Sequence, residues 1–245
     1  MYDVPGVEAD VDRLWQTVAE QVGANPVRLR PDALHQHWQS GSYLLSQTCG
    51  FPLIDSLPDV SVVGVFTTNV GEGDGSRYRS VIIAPLHDCD GPVAVNGWDS
   101  LSGYASLALF LSRERPDLLA RAQTSIVVTG GHWHSVAAVA SGAAAMASID
   151  AVTFDILSRI QPSVVARVCV VGRGPLVPCL PLITPSDEHR ARLRIALHKA
   201  VSLEPMQPSL RRLGLSGFVA LDRTPYLGLA KLIAFARELI PPQAE

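Results

Sequence analysis

A chain of 245 residues with 47% hydrophobic and 18% charged side chains can bury one large core or two modest ones, which predicts a globular α/β protein rather than a disordered chain. Its 20 basic and 23 acidic residues give a formal net charge of −3 without long runs of one sign, so no extended basic surface is expected for nucleic acid. No apolar stretch reaches the roughly 20 residues of a membrane-spanning helix, and the four cysteines are spaced as isolated thiols.

The N-terminus, from Met1 to Trp15, lacks the basic start, apolar middle and small-residue cleavage site of a secretory signal. A mature secreted chain and a cytoplasmic chain share this feature. We therefore expect a periplasmic or extracellular location if a signal segment was removed, and a cytoplasmic location otherwise.

The first third of the chain carries helix and strand signals in alternation. Apolar residues recur at helical spacing from Val7 to Val22 and predict a first helix. Short apolar runs at 43–46 and 60–66 predict buried parallel strands. The glycine-rich segment 69–76 predicts a loop.

The middle of the chain repeats a unit of strand, polar turn and helix. The segments that predict strands share short apolar or β-branched runs, and they are 78–85, 93–96, 124–129, 147–150 and 164–171. Polar turns at 99–103 and 130–135 each lead into a helix, the second of which is predicted over 136–145, and a further helix is predicted at 152–161. Such alternation predicts parallel sheets covered by helices.

The last third of the chain predicts a return to the starting lobe. The segment from Gly172 to Pro185 is rich in proline and predicts an extended crossover, followed by helices near 187–202 and 226–240. We expect a first lobe built from 1–84 and 173–245, a second lobe built from 85–172, and two extended hinge crossings between them.

The turn that runs from Asn96 to Gly103 is the first candidate site. It follows a predicted strand and opens a helix, so unpaired N–H groups, the positive helix end and the hydroxyls of Ser100 and Ser102 meet at one place. This combination suits an oxyanion. A helix cap is the alternative role for either serine.

A second turn of the same kind runs from Thr129 to Ser135. His132 or Ser135 can donate to a phosphoryl oxygen there, and a glycine pair lets the backbone approach a ligand. An ordinary solvent-facing loop is the alternative. Both turns open helices at the end of an α/β sheet where ligands gather, which favours a shared anion site.

Tyr78 and Asp150 are further candidates. Tyr78 begins the first crossing, where its phenol would face a cleft or pack at the strand end. Asp150 ends a buried strand, where an isolated carboxylate needs a partner such as a protonated ligand oxygen, or caps the helix that follows. Arg77 and Arg79 would serve as anion clamps or as surface charges, and we assign them no role.

Together these motifs resemble the phosphate/phosphite/phosphonate-binding family of ABC-transporter substrate-binding proteins. The matching segments are short and run in family order over most of the chain: Ser46–Pro52, Tyr78–Ser80, Ser100–Gly103, Gly131–Ser135 with Ala138–Gly142, Ala147–Asp150 and Leu180–Thr184. The resemblance implies the type II periplasmic-binding-protein fold, with two lobes that close around a small oxyanion.

The resemblance also implies which residues bind the ligand. These are Ser100, Ser102 and Gly103 of the first turn, together with His132, Tyr78 and Asp150, while Gln47, Thr48 and Tyr2 contribute from the first lobe. Ser135, in the second turn, is a further candidate ligand-binding residue. We expect a binding protein rather than an enzyme, with phosphate, phosphite or a phosphonate as ligand, no metal or other cofactor, and an ABC permease as partner if the chain serves transport.

The sequence departs from the family pattern at several positions. The first strand of the family would precede Met1, Ala145 stands where an aspartate is expected, and Asp90–Pro92 replaces an Asp-Leu-x-Gly turn. These departures leave the fold as predicted and leave the identity of the oxyanion open.

Three other functions are compatible with parts of the sequence. A hydrolase would use Ser100 or Ser102 as nucleophile with His132 as base and Asp150 as orienting acid, although the G-x-S-x-G elbow is lacking. A metal site would use His132 and His134, or the segment His87–Asp90, although neither has a common zinc spacing. A cytoplasmic ligand sensor or orphan binding protein would keep the same fold.

Overall fold

The computed structural model of the chain describes residues 2, 4–23, 28–30, 33–87 and 89–243. The strands within these residues are β1 (Ser46–Gln47), β2 (Ser61–Thr67), β3 (Arg77–Pro85), β4 (Val93–Val95), β5 (Ile126–Val128), β6 (Met146–Ile149), β7 (Val168–Pro178), β8 (Pro181–Thr184) and β9 (Gly217–Val219). The α-helices are α1 (Glu8–Val22), α2 (Leu34–Ser40), α3 (Gly50–Asp55), α4 (Ser106–Glu114), α5 (Pro116–Ala122), α6 (His132–Ser141), α7 (Ala151–Ile160), α8 (Pro162–Val165), α9 (Asp187–Ser202), α10 (Gln207–Arg212) and α11 (Leu229–Leu239). A π-helical turn, Leu101–Ala105, leads directly into α4.

The chain divides into two compact units. The first consists of Met1–Asn69, Asp74–Arg77 and Pro178–Leu227, and the second of Val70–Gly73, Tyr78–Val177 and Gly228–Glu245. These boundaries differ from the predicted 1–84 and 173–245 against 85–172. The physical reasons are that β3 pairs with β6 in the sheet of the second unit and that α11 packs on α4.

The first unit holds the sheet with strand order β1-β8-β2-β9. Its pairs run antiparallel, with Val62 opposite Ile183 and Phe66 opposite Phe218. The prediction of parallel strands therefore does not hold in this sheet. Helix α9 covers β2, which is buried along most of its length, and a continuous apolar run of this kind does not reveal strand direction.

The first predicted helix is confirmed as α1. Its buried residues include Val11, Leu14 and Val18 on one face, which packs against α9. The helix ends where Gly23 adopts the left-handed conformation with φ of 65°.

The second unit holds the sheet with strand order β5-β4-β6-β3-β7. The prediction of parallel strands is confirmed for β4, which pairs in parallel with β5 and β6, whereas β3 pairs antiparallel with β6. Because β4, β5 and β6 run in one direction, the residues that follow them lie at the same edge of the sheet. This edge carries the turn before the π-helical turn, the start of α6 and Asp150.

Some elements differ from the sequence prediction. β1 begins at Ser46 rather than at Tyr43, and α6 begins at His132 rather than at Val136. The proline-rich segment 172–185 forms the end of β7 and all of β8 instead of an irregular crossover. β7 is an edge strand, so one of its sides makes no hydrogen bonds to a neighbouring strand, and the N–H group that proline lacks is not needed there.

The C-terminal helix α11 is tied to the second unit by a buried tyrosine. The hydroxyl of Tyr104 donates a 2.6 Å hydrogen bond to the carbonyl of Ile240, just past the end of α11. Tyr104 is fully buried in the π-helical turn. Among the described residues, none of the helices is both long enough and apolar enough to cross a membrane.

Candidate ligand-binding site

The turn after β4 places two buried serines at the start of a helix. The Oγ atom of Ser100 accepts a 2.9 Å hydrogen bond from the backbone N–H of Gly103, so Ser100 is the N-cap of the π-helical turn. Ser102 lies within this turn, and its carbonyl accepts a hydrogen bond from the hydroxyl of Ser148. The alternative role of helix cap therefore applies to Ser100, whereas the hydroxyl of Ser102 does not cap the helix.

Gly103 leaves room for a neighbouring amide. A Cβ atom at position 103 would lie 1.7 Å from Oδ1 of Asn96 and 3.0 Å from Oγ of Ser100, so any larger residue would displace the Asn96 side chain. The Oδ1 atom of Asn96 is buried and has no hydrogen-bond partner among the residues that the structure describes. A buried acceptor without a partner is costly, and only a group that carries a proton, such as a P–OH, can satisfy it.

His132 brings the second turn to the first. It is the first residue of α6, and its Nε2 atom lies 2.9 Å from Oγ of Ser102. Its Nδ1 atom is buried and has no partner in the described part of the chain. Burial of the imidazole lowers the pKa of His132, and the negative charge of Asp150 opposes this shift. The ring is therefore neutral at neutral pH, with one nitrogen as donor and the other as acceptor.

Tyr78 and Asp150 form a buried pair at the same edge of the sheet. The Tyr78 hydroxyl donates to Oδ2 of Asp150 over 2.6 Å, and the backbone N–H of Thr153 donates to Oδ1 over 2.9 Å. Asp150 thus caps α7, which is one of the two roles considered from the sequence, and it also accepts from the phenol of Tyr78. Each carboxylate oxygen keeps a further lone pair that can accept from a ligand.

The loop residue Gly71 packs closely against Ala151 and the Cβ atom of Tyr78. It has φ of 82°, its carbonyl accepts a 2.7 Å hydrogen bond from the N–H of Arg79, and a Cβ atom there would lie 2.9 Å from the Cβ of Ala151. Only glycine meets both the conformation and the space at this position.

Ser135 lies one turn inside α6 rather than at its start. Its hydroxyl shares a 2.7 Å hydrogen bond with that of Thr129, its N–H donates to the carbonyl of Gly131, and the residue is fully buried. The structure therefore places Ser135 in the packing between strand and helix. The predicted helix start near Ser135 is corrected to His132, because α6 begins four residues earlier than the apolar pattern indicated.

The candidates of the first unit lie at β1. The Gln47 side chain donates to the carbonyl of Leu180 over 3.4 Å, and Tyr2 and Gln47 line a small cavity of about 20 Å³ together with apolar residues. Thr48 is fully buried, and its Oγ1 atom has no partner among the described residues.

The geometry bears on two alternative functions. Ser102 and His132 form a hydroxyl–imidazole pair, but the Asp150 carboxylate binds Tyr78 and Thr153, and His132 Nδ1 lacks the acidic partner that a Ser-His-Asp triad requires among the described residues. In the described ranges, no group of three His, Cys, Asp or Glu side chains is placed to hold a metal ion. Asp88, within the segment His87–Asp90, lies outside the described residues.

Sequence reasoning did not single out Asn96 or Ser148 as site residues. Both belong to segments that it did identify, the turn 96–103 and the segment 147–150. Neither showed a signal of its own, because an amide after a strand and a serine within a strand are common. Their importance comes from the close approach of Asn96 to Gly103 and of Ser148 to the Ser102 carbonyl.

The sequence and the fold were compared with known proteins. Residues 8–226 match the model of a family described as ABC transporter, phosphonate, periplasmic substrate-binding protein. None of the curated proteins matches the sequence.

Several solved structures share the fold. A binding-protein component of an ABC phosphonate transporter from Pseudomonas aeruginosa is similar, with TM-score 0.73 and 18% identity over 94% of this chain and 83% of that chain. PhnD1 from Prochlorococcus marinus, in complex with methylphosphonate, has TM-score 0.75 and 11% identity over 92% of this chain and 91% of that chain. A Xanthomonas citri protein bound to ATP has TM-score 0.66 and 18% identity over 96% and 95%. These similarities confirm the predicted type II periplasmic-binding-protein fold.

Proposed function

Because the chain belongs to the family of periplasmic substrate-binding proteins of phosphonate ABC transporters, we propose that it binds a small phosphorus oxyanion at Ser102 and His132. The N–H of Gly103 donates to Ser100, so Gly103 is proposed to shape the turn and not to donate to the ligand. The observation that carries the proposal is the 2.9 Å contact between Ser102 and His132, which joins the two turns predicted from the sequence. Two helix starts meet at this contact, and helix starts present N–H groups to anions.

The polar groups at this edge favour a phosphorus oxyanion that carries a proton. The Ser102 hydroxyl can donate, while the Asp150 carboxylate, and His132 through one ring nitrogen, can accept from a P–OH group. A phosphonate monoanion offers both acceptor oxygens and one such proton. The structure of PhnD1 from Prochlorococcus marinus with methylphosphonate supports the same class of ligand for this chain.

Within the first unit, Thr48 is the proposed ligand-binding residue. Its hydroxyl is buried and unpartnered among the described residues, as expected of a group that binds a ligand oxygen. Gln47 and Tyr2, which line a small cavity of the first unit, are proposed as supporting contacts. Ser100 acts through the turn that it caps, and Ser135 through the packing of α6, so neither is proposed to touch the ligand.

The proposed role is capture without chemical conversion. The Asp150 carboxylate is held by Tyr78 and Thr153 instead of orienting His132, which supports binding over hydrolysis. Membership of the family supports a periplasmic location and delivery to an ABC permease. Both remain part of the proposal for this chain.

The test is calorimetric titration with methylphosphonate, 2-aminoethylphosphonate, phosphite, phosphate and sulfate. We expect saturable 1:1 binding of at least one phosphorus oxyanion and weaker binding of sulfate, which carries no proton at neutral pH. Ser102→Asp places a negative charge where the anion binds and should weaken binding by at least about 100-fold, or about 2.7 kcal/mol. Ser163→Asp, an exposed serine of α8, is the charge-matched control and should bind as the wild type does.

Two results would count against the proposal. Folded protein that gives no heat and no rise in melting temperature with any of the five anions would remove the oxyanion function. Equal affinity of Ser102→Asp and Ser163→Asp would place the ligand at another part of the chain.

A further inference from the structure

A larger cavity, of about 560 Å³, lies in the second unit, and none of the residues at the candidate oxyanion site lines it. Its walls come from β3, from the end of α4, from the start of β6 and from β7. Pockets that bind small organic molecules have volumes of roughly 300–1,000 Å³. The cavity is therefore large enough for a ligand with about the bulk of an aromatic ring system.

Arginine dominates the charged groups of this cavity. Arg79, Arg113, Arg115 and Arg173 line it, and Glu114 is the one acidic residue among the described residues of its wall. Two of the four guanidinium groups, on Arg115 and Arg173, are paired with carboxylates just outside the wall, so the positive charge that a ligand would meet comes from Arg79 and Arg113.

Three of these arginines are held in place by hydrogen bonds. Arg79 donates to the carbonyl of Gly174 over 3.1 Å, Arg115 donates to both carboxylate oxygens of Asp117, and Arg173 pairs with Glu72 over 3.2 Å. Arg113, by contrast, makes neither a hydrogen bond nor an ion pair with any residue that the structure describes. Arg113 is thus the guanidinium with its full donor capacity available, beside neighbours whose positions are already fixed.

The remaining wall of the cavity is apolar. Leu109, Phe110 and Met146 line it, and Phe110 packs so closely on Gly172 that a Cβ atom there would lie 2.2 Å from the ring. A hydrated inorganic ion would leave this apolar surface unused. A ligand with an apolar body and an anionic group would cover the wall and pair with the guanidinium groups at the same time.

We propose that this cavity is a second ligand site, which binds a small organic anion with an apolar or aromatic body. The site is independent of the proposed oxyanion function, because it shares no residue with the contact between Ser102 and His132. Specificity would come from the guanidinium groups through the charge of the ligand, and from Phe110 and Met146 through its apolar part.

The experiment uses the whole chain and two matched probes, naphthalene-2-sulfonate and the neutral naphthalene-2-sulfonamide, in calorimetric titrations. We expect 1:1 binding of the sulfonate and at least about tenfold weaker binding of the sulfonamide. Arg113→Glu should weaken sulfonate binding by at least about tenfold. Arg190→Glu, which reverses an arginine on α9 of the first unit, should leave it unchanged.

The Ser102→Asp variant separates this proposal from the previous one. It should lose the phosphonate and keep the sulfonate, whereas Arg113→Glu should do the reverse. The proposal is overturned if the sulfonate does not bind at millimolar concentration, if the sulfonamide binds equally well, if Arg113→Glu has no effect, or if Ser102→Asp abolishes sulfonate binding. Far-UV circular dichroism and melting of each variant establish that the chains compared are folded.

Discussion

The hydroxyl of Tyr78 donates a 2.6 Å hydrogen bond to Oδ2 of Asp150, and each of the two residues is only 2% exposed. The bond joins the start of β3 to the end of β6, which are neighbours in the second sheet. It therefore satisfies a buried carboxylate and also fixes the edge of the sheet at which the candidate site lies.

Tyr78→Phe should destabilise the protein, because the buried Asp150 carboxylate loses one of its hydrogen-bond donors. We expect a loss of about 1–3 kcal/mol in the free energy of unfolding, measured by urea denaturation. Tyr43→Phe is the matched control, since the Tyr43 hydroxyl has no partner in the described part of the chain and burial raises its pKa to about 12. Equal effects of the two substitutions would mean that the bond to Asp150 adds nothing to stability.

His132 should make stability depend on pH. Burial lowers its pKa below the usual 6.5, so the unfolded chain binds the proton more readily than the folded chain does. The contribution of His132 is present above about pH 6.5 and is lost as the pH falls from there toward the lowered pKa of the folded state.

The measurement is the free energy of unfolding between pH 7.5 and pH 5 for wild type and His132→Gln. The variant should show a smaller loss toward low pH. His134→Gln changes an exposed histidine on the same helix and should retain the dependence of the wild type. If the curves for wild type and His132→Gln are parallel, the imidazole does not carry this dependence.

Gly103→Ala should disturb the turn that holds Ser102. Its Cβ would lie 1.7 Å from Oδ1 of Asn96, so Asn96 or the turn must move, at a cost of about 1–3 kcal/mol and with weaker phosphonate binding. Gly228→Ala is the control, because that glycine has φ of −64° and no atom within 4 Å of the added Cβ. Adding Asn96→Ala to Gly103→Ala should restore part of the stability, and failure to do so would show that the clash lies elsewhere.

Ser135→Ala tests whether Ser135 binds the ligand, as predicted from the sequence, or only packs between strand and helix, as its buried position indicates. The lost hydrogen bond to Thr129 should reduce the free energy of unfolding by about 1 kcal/mol, while phosphonate affinity should stay within about twofold of the wild type. Denaturation and calorimetry on the same sample measure both. A large loss of phosphonate affinity in a folded variant would mean that Ser135 does contribute to ligand binding.

Much of the second unit could be predicted from local patterns. Short buried strands followed by polar turns predicted the two turns that hold Ser102 and His132, while their role in ligand binding stays a prediction. The start of α6 was missed because His132, Trp133 and His134 give no apolar periodicity, although Gly131 before them is compatible with a helix start.

Other features depended on contacts between distant segments. β7 carries Pro175 and Pro178 and resembled a linker, and only its place at the edge of the sheet makes prolines acceptable there. The antiparallel pairing of β2 with β8 joins residues more than a hundred positions apart, which no local pattern reveals. Asn96 likewise stands out only once Gly103 is seen to approach it.

The π-helical turn at Leu101–Ala105 sets the direction about the helix axis in which the side chains before α4 point. The N–H of Ala105 bonds to the carbonyl of Ser100 five positions back, so the turn holds one residue more than an α-helical turn would. Removing that residue would rotate the preceding side chains by about 100° about the helix axis. A homologous chain with the shorter turn would thus place a different side chain toward the imidazole of His132. Equivalent residues in such chains must be matched by their direction about the helix axis, because their sequence numbers differ by one.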